Sequence, residues 1–464
     1  MKKLLLIFLL LVFIFPVYGE IIHNIKPIED KLLINSSIIL RSDEKLDYWK
    51  LKLILPKNTE IIELRDEIGR INYNFSDNKL EFKTNRKKAK IRIVNLTFKK
   101  DLKEEYGFKI AELSLFGFKN DTTILISPHF QYFFAPDANV EYGEKIKAKK
   151  TGAMYIRIIF GGKKESKHYF TNSNLNLSLP EKYYWIPEGI TGLKVPVKFG
   201  IVSLSGDEYN ITLEKWSSGT YDNGIIFIRE EEDMKDKIAT IMHETTHGIN
   251  SFALDWDKTN ISWFDEGVAC YVTAVVYRML NKTRPQIFGK DVRWRKGGTT
   301  YILKSNLKPE DLFNYYRKGE NWVSYWYPAK YKDEYRREFG YAYSELFIRE
   351  YLKENGSALH KVYQNLLKIN KSVENEIERN GIILHFLGKK FKPCYSLNLD
   401  KIKNCTDDLN EMSFEVPIRE GKEINYEIEV PELPKTEDNS FALQRFFDRI
   451  IEFFSKLISG LFKQ

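Results

Sequence analysis

Two histidines and a glutamate form the pattern H-E-x-x-H at His243, Glu244 and His247. On a helix, residues four apart lie on one face, so both imidazoles can bind a single metal ion. Glu244 stands beside the first histidine and would reach a water molecule next to that metal. The spacing therefore predicts metal-assisted hydrolysis, with the two histidines as ligands and Glu244 as the general base.

A third ligand follows at Glu266. Ser262 and Asp265 have the S-x-x-D form of a capping box, which predicts a helix over residues 263–280 with Glu266 in its first turn. Two imidazoles and one carboxylate leave the fourth tetrahedral position open, and this is typical of catalytic rather than structural zinc. We therefore expect one zinc ion per chain, bound by the two histidines and Glu266.

The segment 263–269, W-F-D-E-G-V-A, resembles the W-L-x-E-G-x-A signature of the gluzincin metallopeptidases. Glu266 follows the second histidine after 18 residues, which is the spacing of the branch that holds the zinc aminopeptidases. Similar motifs mark the broader peptidase MA-like domains. The resemblance covers about residues 196 to 380. It implies a thermolysin-like catalytic domain with the zinc ligands and general base named above.

Two further segments extend the likeness. Residues 224–230, G-I-I-F-I-R-E, are similar to the edge strand that pairs with an extended peptide above the zinc, which makes Gly224, Ile225 and Ile226 the expected substrate-binding residues. Residues 339–347 resemble a later helix whose tyrosine donates a hydrogen bond to the oxyanion. The resemblance assigns that role to Tyr341, with Tyr343 as the next candidate.

One position departs from the family. Where the aminopeptidases carry G-A-M-E-N, this chain has S-G-T-Y-D, and Tyr221 replaces the glutamate that binds a free α-amino group. Asp222 or the three glutamates at 230–232 are possible substitutes. The departure favours an endopeptidase acting on peptide or protein substrates. An aminopeptidase and a non-catalytic zinc-binding surface or adhesion module are the alternatives.

Strands and helices must position these residues, and the sequence indicates both. Short β-rich runs dominate up to about residue 195, and helical periods follow. We expect a multidomain α+β protein, with the following division: signal peptide 1–19, β-sandwich 20–125, second β-rich segment 126–195, thermolysin-like peptidase domain 196–380, C-terminal extension with strands 381–432, linker 433–440 and amphipathic helix 441–464.

The overall composition suits a folded protein of several domains. Of the 464 residues, 43% are hydrophobic, which is enough for buried cores. The net charge of +8 arises from 72 basic and 64 acidic residues, and this mixture of charges does not indicate a nucleic-acid binder.

Cys394 and Cys405 are close enough in sequence to form a small disulfide loop, whereas Cys270 lies in an apolar helical pattern and is expected to be a buried thiol.

The N-terminus predicts export. Lys2 and Lys3 precede an apolar run and then Gly19, a pattern typical of a secretory signal peptide cleaved after that glycine. An uncleaved anchor helix is the alternative. The exported protein would lie outside the cell or on the outer face of its membrane. Eleven N-x-S/T triplets are consistent with a glycoprotein; their asparagines are Asn35, Asn74, Asn95, Asn120, Asn176, Asn210, Asn260, Asn281, Asn355, Asn370 and Asn404.

The C-terminus predicts an amphipathic helix at 441–464. Ten large apolar residues recur there at helical spacing, with charged residues on the opposite side. Five of the charges interrupt the stretch, which argues against a transmembrane helix. Three locations remain open for this helix: the surface of its own domain, a partner helix or the plane of a membrane interface.

Overall fold

The computed structural model describes residues 18–117, 121–126, 130–136, 138–143, 145–213, 217–254, 262–282, 292–296, 299–303 and 358–368, with single positions at 344, 345, 348, 351, 352, 383, 386 and 387. Several predictions concern residues outside this set: the body of the signal peptide, Tyr341 and Tyr343, the two cysteines at 394 and 405, and the C-terminal linker and helix. The chain divides into two compact units. The first unit comprises Met1–Leu175 and Pro196–Val202, and the second comprises Asn176–Val195 and Ser203–Gln464.

The first unit is built from strands. They are β1 (Tyr18–Ile28), β2 (Lys31–Leu46), β3 (Lys50–Ile54), β4 (Thr59–Asp66), β5 (Tyr73–Ser76), β6 (Lys79–Lys83), β7 (Ala89–Asp101), β8 (Lys103–Glu105), β9 (Phe108–Leu115), β10 (Asp121–Ile126), β11 (Tyr132–Phe134), β12 (Asn139–Glu141), β13 (Ile146–Thr151), β14 (Met154–Phe160), β15 (Lys164–Glu165) and β16 (Tyr169–Thr171), followed by β17 (Phe199–Leu204), which begins in this unit.

Three sheets contain most of these strands. A seven-stranded sheet has the order β12-β13-β10-β1-β2-β7-β4, a four-stranded sheet has the order β11-β14-β9-β8, and a three-stranded sheet has the order β3-β6-β5. In β2, buried and half-buried residues alternate from Lys31 to Leu40, as expected for a strand with one face on the core. Ile34 of the seven-stranded sheet and Ile156 of the four-stranded sheet belong to the same hydrophobic core. The two sheets therefore share one apolar interior.

The structure differs from the expected division near residue 125. That boundary falls inside β10, which pairs in parallel with β1 and antiparallel with β13. Strands from both predicted segments therefore belong to one sheet. The sequence pattern could not show this, because a strand's partners depend on tertiary pairing and not on its own alternation.

The second unit contains the helices. They are α1 (Ser178–Glu181), α2 (Trp185–Thr191), α3 (Gly206–Thr212), α4 (Met234–Leu254), α5 (Ser262–Met279) and α6 (Ala358–Lys368), with strands β18 (Gly219–Asp222), β19 (Ile225–Arg229), β20 (Val292–Lys296) and β21 (Thr299–Leu303). Helices α4 and α5 pack together, and α6 packs on α4 and α2. Among the helices that the structure describes, none has both the length and the apolarity needed to cross a bilayer.

A tight hairpin joins β18 to β19. Its two turn residues, Asn223 and Gly224, have φ values of 45° and 100°, as a two-residue turn with both residues in the left-handed region requires. The hairpin leaves β18 at the edge of its sheet, and β19 lies one strand further in with Ile225 and Ile226 buried. The expectation that Gly224, Ile225 and Ile226 lie on the edge strand is therefore wrong, because β18 is the edge strand.

Candidate metal centre

Helix α4 positions both histidines of the H-E-x-x-H pattern. Asp233 caps its N-terminus, because the carboxylate Oδ1 accepts hydrogen bonds from the backbone N–H groups of Lys235 and Asp236 at 2.8 and 3.1 Å. One helical turn separates His243 from His247, and their Nε2 atoms lie 3.1 Å apart. The predicted helix and the shared face of the two imidazoles are thus confirmed.

Helix α5 brings Glu266 to the same point. Its Oε2 lies 3.2 Å from Nε2 of His243 and 3.4 Å from Nε2 of His247. The three atoms therefore form a nearly equilateral triangle. Ligands about 2.0–2.1 Å from a tetrahedral zinc are separated from one another by about 3.3 Å. The triangle fits zinc without any movement of the side chains.

Hydrogen bonds assign the protons of the two imidazoles. The single hydroxyl proton of Thr273 goes to the carbonyl oxygen of Ala269 at 2.8 Å, so Thr273 Oγ1 accepts a hydrogen bond from Nδ1 of His243 at 3.1 Å. Nδ1 of His247 lies 2.5 Å from Oδ2 of Asp265, and this carboxylate favours a proton on Nδ1. When both imidazoles are neutral, each Nε2 atom has a lone pair, and these lone pairs converge with the carboxylate of Glu266. Three electron-pair donors at this separation are what a cation requires.

The electrostatics of the site also favour positive charge. Burial alone would raise the pKa of Glu266, but the charges and hydrogen bonds of the two imidazoles outweigh it and lower the pKa to about 2. Burial alone would lower the pKa of His247, but Asp265 and Glu266 outweigh it and raise the pKa well above its ordinary value. Burial raises the pKa of Asp265, and His247 only partly offsets this. The two adjacent carboxylates thus favour positive charge at His247, which a proton or a bound metal ion can supply.

Glu244 lies beside the triangle and is buried. Burial raises the pKa of its carboxyl, with opposing contributions from the two imidazoles. The edge strand β18 approaches it closely: a Cβ added to Gly219 would overlap Cγ2 of Thr240 and lie 3.0 Å from Oε1 of Glu244. Glycine at position 219 is therefore what allows the strand's backbone to lie against this part of α4.

Other predicted residues have different positions. Tyr221 lies on β18, and its hydroxyl is 3.3 Å from Oγ of Ser251 on α4. Cys270 is a buried free thiol, as predicted, and its Sγ lies within 4.8 Å of ligand atoms of His243 and Glu266. Tyr341, the expected oxyanion donor, lies outside the described residues.

Asp265 has a role that the sequence analysis missed. It was expected to cap α5, but its Oδ2 contacts His247 and its Oδ1 accepts a hydrogen bond from Nδ2 of Asn250 at 2.5 Å. Both oxygens therefore face α4 rather than the start of α5. Its position next to Glu266 was the available signal, because a metal-binding histidine commonly donates its other N–H to a carboxylate. Thr273, seven residues after Glu266, lies on the same helix face by its spacing.

Comparison with known proteins adds little sequence information. No protein-family model matches the chain, and no curated protein matches it. Among solved structures, the chain is similar to an M1 zinc metallopeptidase from Deinococcus radiodurans. A Glu-to-Ala mutant of that protein has 9% identity, a TM-score of 0.30 and coverage of 81% of this chain and 94% of the other. The same protein without the mutation has 9% identity, a TM-score of 0.28 and coverage of 80% and 93%.

Proposed function

We propose that this protein is a zinc-dependent peptidase of the gluzincin superfamily. The observation that carries the proposal is the convergence of His243, His247 and Glu266 in a triangle of 3.1 to 3.4 Å, with both imidazole protons directed away from it. This donor set leaves a fourth position open, as catalytic zinc sites do. Zinc bound there would acidify a water molecule and polarise a carbonyl oxygen.

Glu244 is the proton acceptor in this proposal. It is adjacent to His243 on α4 and buried, and burial raises the pKa of its carboxyl. A carboxylate with a raised pKa is a better base near neutral pH than an exposed one. It takes a proton from the attacking water and delivers it to the leaving amine.

The edge strand supports an extended peptide as the substrate. β18 is the terminal strand of its sheet, and such a strand can pair with an added peptide through its backbone groups. Gly219 lies against Glu244, so a peptide paired with β18 would pass close to the general base. Backbone pairing also explains how a peptidase site can accept many side chains at one position.

We favour an endopeptidase over an aminopeptidase. Tyr221 stands in the sequence where the aminopeptidase motif carries its amine-binding glutamate, and its hydroxyl contacts Ser251. The 18-residue spacing between the second histidine and Glu266 favours the aminopeptidase alternative, since that branch shares it. Matched peptides with free and acetylated N-termini separate the two: an endopeptidase cleaves both, whereas an aminopeptidase loses the acetylated one.

The test of the enzyme itself uses Glu244→Gln. We expect the wild type to hydrolyse members of a broad peptide library, and the variant to keep its zinc while its kcat falls by about 10²- to 10⁴-fold, as removal of a general base does. Activity that survives the substitution would contradict the proposed mechanism. Stoichiometric zinc without any peptide cleavage by the wild type would favour the non-catalytic zinc-binding module instead.

We also propose export of the protein. β1 begins at Tyr18, and Gly19 pairs with Leu40, so cleavage after Gly19 would leave the strand to begin at Glu20. N-terminal sequencing of the mature protein tests the cleavage position.

For the C-terminal segment we propose association with a membrane surface. Comparing the flotation with vesicles of the chain with and without residues 441–464 tests this proposal.

A further inference from the structure

A buried chain of two hydrogen bonds and one ion pair leads from α6 to the candidate metal centre. Its first link is the hydroxyl of Tyr363, which donates to Oδ1 of Asn250 at 2.6 Å. The second link is Nδ2 of Asn250, which donates to Oδ1 of Asp265 at 2.5 Å. The third link is the ion pair between Oδ2 of Asp265 and Nδ1 of His247, whose atoms lie 2.5 Å apart. Tyr363 and Asn250 are fully buried, so water does not compete for these bonds.

Each link has one possible direction. The amide nitrogen of Asn250 must donate to the Asp265 carboxylate, so its oxygen is the atom that faces Tyr363. Burial raises the pKa of Tyr363 well above its ordinary value, so the hydroxyl keeps its proton and donates it. The orientation of the amide is thereby set from the Tyr363 side, and the amide in turn holds one oxygen of Asp265. The other oxygen is left directed at His247.

The packing of α6 fixes the position of Tyr363. On the same helix, Nε2 of His360 donates to the carbonyl oxygen of Gly189 at 2.6 Å. Gly192, at the C-terminal end of α2, has a φ of 70°. A Cβ on Gly192 would lie 2.7 Å from the ring of His360, so only glycine leaves room for this ring. α6 is thus held against α2 by a specific contact, and the hydroxyl of Tyr363 has a fixed location in the interior.

We propose that Tyr363 is a positioning residue that, through Asn250 and Asp265, orients His247 for metal binding and so sets the affinity of the site for zinc. The proposal rests on the proposed zinc site. Groups that hydrogen-bond to metal ligands typically contribute 10- to 100-fold to metal affinity. Tyr363 acts through two intermediates, so we expect about 10-fold, at the lower end of this range.

Tyr277 supplies a matched control. Its hydroxyl donates to Oδ1 of Asp236 at 2.8 Å, so Tyr277 joins α5 to α4 as Tyr363 joins α6 to α4, and its side chain is also buried. Asp236 precedes His243 by seven residues, which corresponds to about 10 Å along the helix. Tyr277→Phe and Tyr363→Phe remove the same hydroxyl from a buried tyrosine, and both should lower the thermal midpoint of unfolding.

The experiment measures zinc affinity on the full chain by competition with a chelator at constant pH. Tyr363→Phe should bind zinc about 10-fold more weakly and change the visible absorption of the cobalt-substituted protein, whereas Tyr277→Phe should do neither. Asn250→Ala, which removes the middle link, should weaken zinc binding at least as much as Tyr363→Phe. Unchanged affinity in Tyr363→Phe, or an equal loss in Tyr277→Phe, would overturn the inference.

Failure of the inference and failure of the proposed function are distinguishable. If the wild type binds zinc and cleaves peptides while Tyr363→Phe matches it in zinc affinity, only the role of Tyr363 is wrong. If the wild type binds no zinc, the proposed function is wrong, and the inference falls with it.

Discussion

Each of the two units contains a buried cluster of polar side chains, and the charge of the two clusters is balanced in different ways. In the first unit, Arg92 and Asp66 are fully buried; the guanidinium donates to Asp66 Oδ2 at 2.8 Å and to the carbonyl oxygen of Asn85 at 2.6 Å. In the second unit, the groups that converge are His243, His247 and Glu266. The first cluster contains its own cation, whereas the second presents electron-pair donors to one.

This difference separates a structural use of buried charge from a binding use. Removal of one partner of a buried ion pair leaves the other charge uncompensated, and this destabilises the fold. A cluster of lone pairs is instead stabilised by an added ligand, so its contribution depends on ligand concentration. The first cluster should therefore respond to mutation through folding, and the second through zinc.

The largest effect on stability should come from Arg92→Met. The substitution keeps an apolar stem but leaves Asp66 buried without its cation, which we expect to cost about 3–5 kcal/mol of unfolding free energy. Denaturant unfolding measures the loss. The double variant Arg92→Met with Asp66→Leu is the control, because it removes both charges and should recover part of it. A loss below about 1 kcal/mol would contradict the structural role of this cluster.

Removal of zinc should have the next largest effect, and it should act on the second cluster. At a zinc concentration of about 1,000 times Kd, bound metal stabilises the folded chain by about 4 kcal/mol, and a chelator should abolish this together with peptide cleavage. In Glu266→Ala the chelator should change neither the unfolding midpoint nor the residual activity. An unfolding midpoint of the wild type that is insensitive to zinc would contradict the comparison.

His23 should make the first unit sensitive to acid. It is fully buried between Oγ of Ser36 and the carbonyl oxygen of Phe116, and burial lowers its pKa from 6.5 to about 4, with the Phe116 bond opposing this. The folded state holds His23 neutral, so its contribution is present above pH 6.5 and is lost as the pH falls toward 4. The loss should reach about 3 kcal/mol.

Unfolding free energies of the wild type and of His23→Gln across this range measure that contribution. The variant should lose less stability on acidification than the wild type, because only the wild type has an imidazole that must be charged. Parallel pH profiles for the two proteins would show that His23 does not carry the effect.

Gly219→Ala should have the smallest effect and should act on the chemistry. The added Cβ overlaps Thr240 and presses on Glu244, so we expect kcat to fall by about 10-fold while zinc stays bound. Gly189→Ala is the matched control, because a Cβ there meets no atom within 4 Å. If both variants keep wild-type kcat, β18 does not lie against the general base as the structure places it.

The candidate site was predictable where it depends on spacing along the sequence. His243 and His247 lie one turn apart on α4, and Glu266 lies near the start of α5, so local spacing was sufficient to bring them into consideration. Asn250 and Tyr363 were not predictable, because they reach Asp265 through the packing of α4, α5 and α6. Sequence spacing within one element carries no information on which elements pack together.

The strands show the same limit. The regions rich in strands were predicted from alternation, but the sheet that joins β10 to β13 and the edge position of β18 depend on pairing. The Asn223-Gly224 turn was the signal for the hairpin, since Asn-Gly is strongly preferred in two-residue turns. The resemblance places the edge strand at residues 224–230, which is one strand too far along the chain.

Zinc stoichiometry at equilibrium tests the central claim most directly. Dialysis of the purified chain against buffered zinc, followed by metal analysis, should give one zinc ion per wild-type chain. The variants His243→Ala, His247→Ala and Glu266→Ala should each lose most of it, while Glu244→Gln should retain it. Absence of zinc from the wild type, or full retention in the three ligand variants, would contradict the account.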